Sequence, residues 1–269
     1  MRLLATLVLA AAAGCAGAEA MTGTSAGPAA APPTRHELGL NPGEAMAFEV
    51  RLAGVLAGEA QLAVGEIGEV DGKKAIVVRS HAATAGAAAL IKKISDDATT
   101  TIDLESGRPL TLETLVIHGD KQISATATFK GSTAVVKYQR TGDPIAKAVT
   151  LDFRGAPVHD AHTAMAQLRG WKGKKGETRT VYVVGGRRLW RIDLTYAGEE
   201  SIGSALGNRR AVVFDGKSYR ARNDMTIDGT KPARTFKVWL SDDADRVPLK
   251  VTAATELGDI SMDLLDYQR

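Results

Sequence analysis

Short apolar runs dominate this chain from residue 41 onward, and turn residues separate them at intervals of about 8 to 12 residues. In the first run, Phe48, Val50 and Leu52 alternate with polar residues, and Gly54 follows. Alternation with a period of two is typical of a strand with one buried face. Parallel neighbours would need long crossover connections, for which these intervals leave no room. The sequence therefore predicts an all-β fold with an antiparallel, strongly curved or barrel-like sheet or sheets.

Runs of the same kind continue to the C-terminus. They lie at residues 60–64, 75–80, 99–104, 110–118, 123–129, 133–139, 147–153, 178–184, 188–196, 210–214, 219–227, 234–240, 248–255 and 260–267. No internal repeat and no linker-like stretch interrupts them. We therefore expect one β-rich domain over residues 41–269, although a helix near residue 160 could separate two halves.

Two stretches have a helical pattern instead. Residues 82–94 are rich in alanine, with Gly86 as an interruption. Residues 159–169 form the second stretch, which Asp160 can cap and which Gly170 would end. An apolar face is predicted on this second helix: Ala161, Met165 and Leu168. The fold should thus contain one or two short helices.

The N-terminus has the pattern of a bacterial lipoprotein signal. Arg2 precedes an apolar segment over residues 3–13, and Cys15, the one cysteine of the chain, follows small residues. Cleavage after residue 14 would leave Cys15 to carry the lipid. Two alternatives are an ordinary secretory signal with an incidental cysteine and a membrane anchor, although the segment is too short to span a bilayer.

The segment after Cys15 predicts a flexible tether over residues 15–40. It consists largely of Ala, Gly, Thr, Ser and Pro, which bury too little apolar surface to fold. Alanine rather than aspartate at Ala16 favours transport to the outer membrane over retention at the inner one. We therefore expect an exported outer-membrane lipoprotein that faces the periplasm, with the membrane as a partner through its N-terminal lipid.

Basic residues are concentrated between Arg169 and Arg191, where eight Lys and Arg side chains accompany one acid, Glu177, in a chain of net charge +3. A solvated loop explains them without a partner, whereas anionic lipid headgroups or lipopolysaccharide phosphates would attract them. The predicted compartment and the absence of interleaved aromatic residues argue against nucleic acid. The candidates for contact with an anionic surface are Lys172, Lys174, Lys175, Arg187 and Arg188.

His159, Asp160 and His162 form the densest group of potential metal ligands. Histidines three residues apart on a helix can converge on one ion, but a third ligand would have to come from His81, His118 or a distant carboxylate. The alternative is an N-terminal helix cap, Asp160, with two flanking polar residues. We favour the cap, and we predict no metal, no other cofactor and no catalytic residue.

Three segments, in order, resemble the DUF3108 family of uncharacterised exported bacterial proteins. They are residues 48–60 (FEVRLAGVLAGEA), 160–169 (the predicted helix ending in Leu-Arg) and 238–249 (VWLSDDADRVPL), and with their spacing the resemblance covers about residues 44–267. It implies an exported β-rich domain. Because the family has no established reaction, it supplies no catalytic residues.

Three functions are compatible with these patterns. The first is a non-enzymatic envelope module that binds an apolar or amphipathic ligand, such as a lipid, inside a curved sheet. The second is a structural or assembly accessory protein that binds another envelope protein or a polysaccharide. The third is a metal-dependent hydrolase using His159, Asp160 and His162. We rank the three functions in this order. The main expectation is therefore that the protein is not an enzyme.

Overall fold

A computed structural model describes residues 38–269 of the chain as one antiparallel sheet with two short helices, which confirms the predicted fold class. The strands are β1 (Ala45–Leu52), β2 (Val55–Val70), β3 (Lys73–Thr84), β4 (Ile94–Asp103), β5 (Arg108–His118), β6 (Lys121–Lys130), β7 (Thr133–Arg140), β8 (Lys147–Asp152), β9 (Val158–His159), β10 (Thr178–Gly185), β11 (Arg188–Ser204), β12 (Gly207–Ala221), β13 (Arg234–Ser241), β14 (Pro248–Thr255) and β15 (Gly258–Gln268). The helices are α1 (Gly86–Ile91) and α2 (Ala161–Gly170). Within the described residues no helix is long and apolar enough to cross a membrane.

The first strand lies in the middle of the sheet rather than at an edge. The strand order is β8-β7-β6-β5-β4-β3-β2-β1-β15-β14-β13-β12-β11-β10-β9. Strands β1 to β8 thus form one wing of consecutive hairpins, and β9 to β15 form the other. Neighbours are antiparallel except β9 and β10, and β1 joins the wings by pairing with β15, from Ala45 opposite Gln268 to Leu52 opposite Ile260.

The two edge strands, β8 and β9, are consecutive in the chain. Only residues 153–157 connect them, and so short a segment spans at most about 20 Å. A flat sheet of 15 strands would hold its edges more than three times that distance apart, since neighbouring strands lie about 4.8 Å from one another. The sheet must therefore curl until its wings face each other. A buried apolar cluster confirms this, because it combines Leu151 of β8 with Val158 of β9 and Leu189 of β11.

Each turn of the sheet lies either at its upper end or at its lower end. The upper end is defined here as the end where β1 finishes and β2 begins. The strand directions then assign each of the remaining turns to one end. The turns of the upper end are 53–54, 85–93, 119–120, 141–146, 186–187, 222–233 and 256–257, and those of the lower end are 71–72, 104–107, 131–132, 153–157, 171–177, 205–206 and 242–247. The chain enters β1 from the lower end.

Helix α2 lies against the concave face of the curled sheet. Asp160 caps it, as predicted: its carboxylate accepts hydrogen bonds from the Thr163 backbone N–H (2.9 Å) and hydroxyl (2.6 Å), while the Thr163 hydroxyl oxygen accepts from the Asp160 N–H (3.0 Å). Ala166 and Leu168 join the main apolar cluster together with Phe214. The helix is therefore packed on several sides at once.

The C-terminal end of α2 is held by a buried ion pair. Arg169 donates to both carboxylate oxygens of Glu44, with 2.8 Å from Nη2 to Oε2. The same guanidinium donates to the backbone carbonyls of Asp245 (2.8 Å) and Arg246 (3.1 Å) in the β13–β14 turn. Glu44 is fully buried, and the Asn41 side chain also donates to it (3.0 Å). One side chain thereby connects the helix, the start of the domain and the lower end of the sheet.

Three details differ from the sequence-based expectations. The runs predicted at 210–214 and 219–227 belong largely to one strand, β12, which continues through Gly216 and ends at Ala221. The helix predicted over 82–94 is reduced to α1, because β3 extends to Thr84 and β4 begins at Ile94. Leu40, assigned to the tether, is buried in the main apolar cluster, so the packed domain begins slightly earlier than residue 41.

Candidate functional site

An apolar cavity of about 120 Å³ lies between α2 and the strands β10 to β14. It is slightly smaller than the apolar cavity of about 150 Å³ that accepts benzene in an engineered protein. A ring of that size or a short piece of alkyl chain is the scale of group it can take. The residues lining it on the strands are Val181, Val183, Gly185, Trp190, Ile192, Leu194, Ser218, Arg234, Phe236, Val238 and Val251.

One face of α2 forms the opposite wall. Ala161, Ala164, Met165 and Leu168 line the cavity, at the spacing i, i+3, i+4 and i+7 that places side chains on one side of a helix. Three of these four were predicted to share a face. Because Ala161 and Ala164 end at Cβ, the helix backbone stays close to the sheet while space remains in front of those two residues.

The strand register brings the sheet side of the cavity together. Ile192 of β11 lies opposite Ser218 of β12, which in turn lies opposite Arg234 of β13. One step further along, Leu194 pairs with Gly216 and Gly216 with Phe236. A Cβ atom on Gly216 would lie 2.1 Å from Cζ of Phe236, so the ring lies directly over this glycine. Gly216 therefore allows Phe236 to line the cavity without filling it.

Polar groups contribute little to the cavity wall. The Ser218 hydroxyl and the Trp190 indole N–H are both buried and make no hydrogen bond to the described residues. Their polar atoms are not accessible to solvent, so a ligand in the cavity would contact only the apolar parts of these two residues. Such a wall suits a hydrocarbon group, because a polar group would lose its hydration there without gaining partners.

Eight of the fifteen lining residues are half-buried, so the cavity is partly open, and this partly exposed lining extends to the upper end of the sheet. Gly185, at the end of β10, and Arg234, at the start of β13, are half-buried and belong to its lining. Burial lowers the pKa of Arg234, while the nearby Glu256 carboxylate acts in the opposite direction. Since arginine stays charged even with a lowered pKa, the cavity carries a cation at this end.

His159, Asp160 and His162 are all buried, but they do not form a group of ligands. Asp160 is occupied as the helix cap, and the Thr100 hydroxyl also donates to it. His162 Nδ1 lies 2.7 Å from the same hydroxyl oxygen, so it must carry the proton, which leaves Nε2 without a partner among the described residues. His159 Nδ1 also lacks one. No group of three His, Cys, Asp or Glu side chains suited to a metal ion occurs within residues 38–269.

Both histidines favour the neutral form. Burial lowers the pKa of His162 and that of His159, and the Asp160 charge opposes this only in part. The geometry thus matches the cap interpretation of Asp160. Of the two remaining candidate ligands, His81 pairs with Asp97 (2.9 Å), a residue of the neighbouring strand, rather than with this group.

The candidates for contact with an anionic surface fall into two separate groups. Lys172, Lys174 and Lys175 lie in the lower turn before β10, whereas Arg187 and Arg188 lie at the upper hairpin after it. The eight residues of β10 place about 25 Å between them. The structure therefore does not unite the five in one patch, and Cys15 lies outside the described residues.

The cavity residues on the strands were missed by the sequence analysis. Their alternation predicts one buried face, but nothing local shows that five strands of one wing curve around α2. The one available signal was the small side chain of Ala161 on the predicted apolar face of the helix, with Ala164 beside that face.

Comparison with known proteins adds a fold relationship. The crystal structure of a β-barrel-like protein of the domain of unknown function DUF1849 from Brucella abortus has a TM-score of 0.55 at 10% identity, covering 84% of this chain and 97% of that one. A protein from Bacteroides fragilis described as exported and YmcC-like in fold has a TM-score of 0.39 at 7% identity, covering 85% and 97%. The hypothetical lipoprotein YmcC from Escherichia coli has a TM-score of 0.32 at 10% identity, covering 86% and 87%.

The first of these likenesses shows the fold, and the other two are too distant to add to it. No relative is found among curated protein sequences. A family model described as protein of unknown function DUF3108 matches residues 47–265, close to the range expected from the three sequence segments. Two of those segments meet in the structure, where Arg169 donates to the carbonyls of Asp245 and Arg246. The chain belongs to the DUF3108 family.

Proposed function

We propose that this protein is a non-enzymatic module of the cell envelope that binds the apolar part of an amphipathic ligand in the cavity beneath α2. The observation that carries the proposal is the composition of the cavity wall, in which thirteen of the fifteen lining residues are apolar or glycine. Clefts with mostly apolar walls and a few polar groups are the usual form of small-molecule sites.

The position of Arg234 suggests how the ligand is oriented. Arg234 is a half-buried lining residue at the upper end of the cavity, whereas Leu168 and Val251 are among the buried lining residues. A ligand with a hydrocarbon portion and an anionic head could therefore place the first inside and the second beside Arg234. The favourable free energy would come from burying hydrocarbon, at about 25 cal/mol per Å².

The N-terminal sequence supports the proposed location. The signal at residues 1–14, the lipid on Cys15 and a tether would place the domain at the outer membrane, facing the periplasm. The curled sheet would then stand within reach of membrane lipids. No nucleic-acid partner and no cofactor forms part of this proposal.

The test uses residues 35–269, which include every helix, strand and apolar cluster described above. Native mass spectrometry after purification from a periplasm should reveal a co-purifying lipid-sized mass. Titration with dodecanoate, part of whose alkyl chain would enter the cavity, should show saturable binding by calorimetry or by tryptophan fluorescence, to which Trp190 in the cavity wall contributes. Ala164→Leu fills the cavity from the helix side and should weaken dodecanoate binding about tenfold or more.

A matched control is Ala87→Leu, because Ala87 also lies in a helix but is exposed. This variant should bind dodecanoate like the parent. Equal affinity of the parent and Ala164→Leu would contradict the proposal. A bare protein mass without dodecanoate binding would favour the assembly role, and a stoichiometric metal lost in His162→Ala would favour the hydrolase.

A further inference from the structure

Exposed apolar side chains are concentrated at the upper end of the sheet. Of the twelve large apolar residues that are exposed among the described residues, eight lie on the upper turns or within three residues of them: Val55, Leu56, Leu90, Ile91, Ile123, Ile145, Ile227 and Leu257. We call these eight the apolar rim. The five most exposed residues of the twelve all belong to it, with 57 to 89% of their surface accessible.

Helix α1 is the most prominent part of the apolar rim. Its sequence is Gly-Ala-Ala-Ala-Leu-Ile, and none of its residues is buried. Leu90 is 89% exposed and Ile91 is 87% exposed. A helix without a buried face gains almost nothing from packing, which normally supplies most of the stability of short helices. The backbone holds it beside the β1–β2 turn, since the Ala85 N–H donates to the Ala57 carbonyl (3.1 Å).

The upper end also carries an excess of positive charge. Its turns and the strand residues that directly flank them contain ten Lys or Arg and five Asp or Glu: Lys92, Lys93, Lys121, Arg140, Lys147, Arg187, Arg188, Arg222, Lys231 and Arg234 against Asp120, Asp143, Asp224, Asp228 and Glu256. Lys92 and Lys93 directly follow the two most exposed apolar residues, and Arg187 and Arg188 form a second pair. The Lys172–Lys175 group lies at the other end.

The apolar rim is continuous with the opening of the cavity. Glu256 interacts with Arg234 at that opening, and the neighbouring Leu257 belongs to the rim. The next turn is in direct contact, because the Ala53 N–H donates to the Asp259 carbonyl (2.8 Å). The rim therefore extends from the cavity opening across the β14–β15 and β1–β2 turns to α1.

We propose that the apolar rim inserts into the surface of a bilayer that contains anionic lipids. Leu90, Ile91 and Val55 would enter the boundary between headgroups and acyl chains, while Lys92 and Lys93 contact phosphates. The apolar side chains stand on separate turns, and charged residues accompany several of them: Lys92 follows Ile91, Asp228 follows Ile227 and Glu256 precedes Leu257. Apolar side chains beside basic ones are the combination that binds the interface of an anionic bilayer. The cavity opening would then face the lipids directly.

The experiment measures co-sedimentation of residues 35–269, which lack the lipid on Cys15, with vesicles of phosphatidylcholine alone or with 30% phosphatidylglycerol. We expect binding that is stronger with phosphatidylglycerol and weaker in high salt. The double variant Leu90→Ser, Ile91→Ser should reduce the partition coefficient about tenfold or more, because two side chains no longer insert. Both residues are exposed, so the fold should be retained.

Ile67→Ser, Leu265→Ser is the matched control, since both residues are exposed apolar side chains outside the rim. It should bind vesicles like the parent. Unchanged vesicle binding of the Leu90→Ser, Ile91→Ser variant would overturn the proposal. Parent protein that does not bind vesicles and instead self-associates through α1 would overturn it as well. An Ile91→Trp variant gives a second measurement, because its added emission should shift to the blue with vesicles and remain unshifted if no insertion occurs.

This proposal does not depend on ligand binding in the cavity. The Ala164→Leu variant, which fills the cavity, should bind vesicles as well as the parent does. The Leu90→Ser, Ile91→Ser variant should in turn bind dissolved dodecanoate normally. Failure of one proposal can therefore be distinguished from failure of the other.

Discussion

Removing Arg169 tests how much of the fold depends on the buried ion pair at the end of α2. In Arg169→Met the carboxylate of Glu44, which is fully buried, would lose its cationic partner, and the carbonyls of Asp245 and Arg246 would lose a donor. Breaking a buried pair in this way costs about 3 to 5 kcal/mol. For a domain of this size each kcal/mol lowers Tm by roughly 2 to 4 °C. We therefore expect Tm to fall by about 6 to 20 °C.

Urea unfolding and calorimetry of residues 35–269 would measure the effect. The double variant Glu44→Leu, Arg169→Met removes both charges and should recover about half of the lost stability, since the two carbonyls remain without their donor. The control is Arg51→Met, which breaks the partly exposed pair with Glu49 and should cost less than about 1 kcal/mol. If Arg169→Met costs no more than Arg51→Met, the reasoning about the buried pair is refuted.

Three further predictions concern other parts of the molecule. Burial, followed by the charge of Asp97, raises the pKa of Asp96 from 3.8 to about 7, so the folded protein retains a proton that the unfolded chain releases. Stability should therefore fall by as much as about 4 kcal/mol as pH rises from about 4 to 7. The urea midpoint of Asp96→Asn should not decrease in this way as pH rises. Urea midpoints that decrease equally with pH in the variant and the parent would contradict the prediction. Gly216→Ala places a methyl group 2.1 Å from Phe236 and should cost about 1 to 3 kcal/mol in chemical denaturation, with partial rescue by Phe236→Leu; a cost that Phe236→Leu leaves unchanged would locate the strain elsewhere. Asp160→Ala removes the cap of α2 and should cost about 1 to 2 kcal/mol by calorimetry, whereas Asp160→Asn should retain most of the stability; equal losses in the two variants would show that the cap is not what Asp160 contributes.

The strands could be predicted from the sequence because their signals are local. Pro248–Thr255 was predicted with the bounds that β14 has, since alternation and flanking turns determine a hairpin strand within a few residues. The prediction of two separate runs at 210–214 and 219–227 was wrong, because a glycine between apolar runs, here Gly216, resembles a turn. In the structure it lies inside β12, with the Phe236 ring in the space where a side chain would be.

The long-range arrangement could not be predicted in the same way. The pairing of Ala45 with Gln268 joins residues at opposite ends of the domain, and no local pattern encodes it. The helix cap at Asp160 was predictable from its sequence neighbours, whereas the cavity was not, because it depends on which strands the curled sheet brings opposite Ala161 and Ala164. Likewise, the five basic candidates are close in sequence, but β10 separates them in space.

The pairing of the first strand with the last has a consequence for how the chain reaches its native state. Apart from the parallel pair β9 and β10, each wing consists of hairpins between sequence neighbours, which form quickly, while the seam between β1 and β15 must wait for the final eleven-residue strand. Until then, one side of β1 presents unpaired backbone groups to any other extended chain. A protein truncated before Gly258 would keep that edge open permanently, so the last strand protects the finished molecule from aggregation.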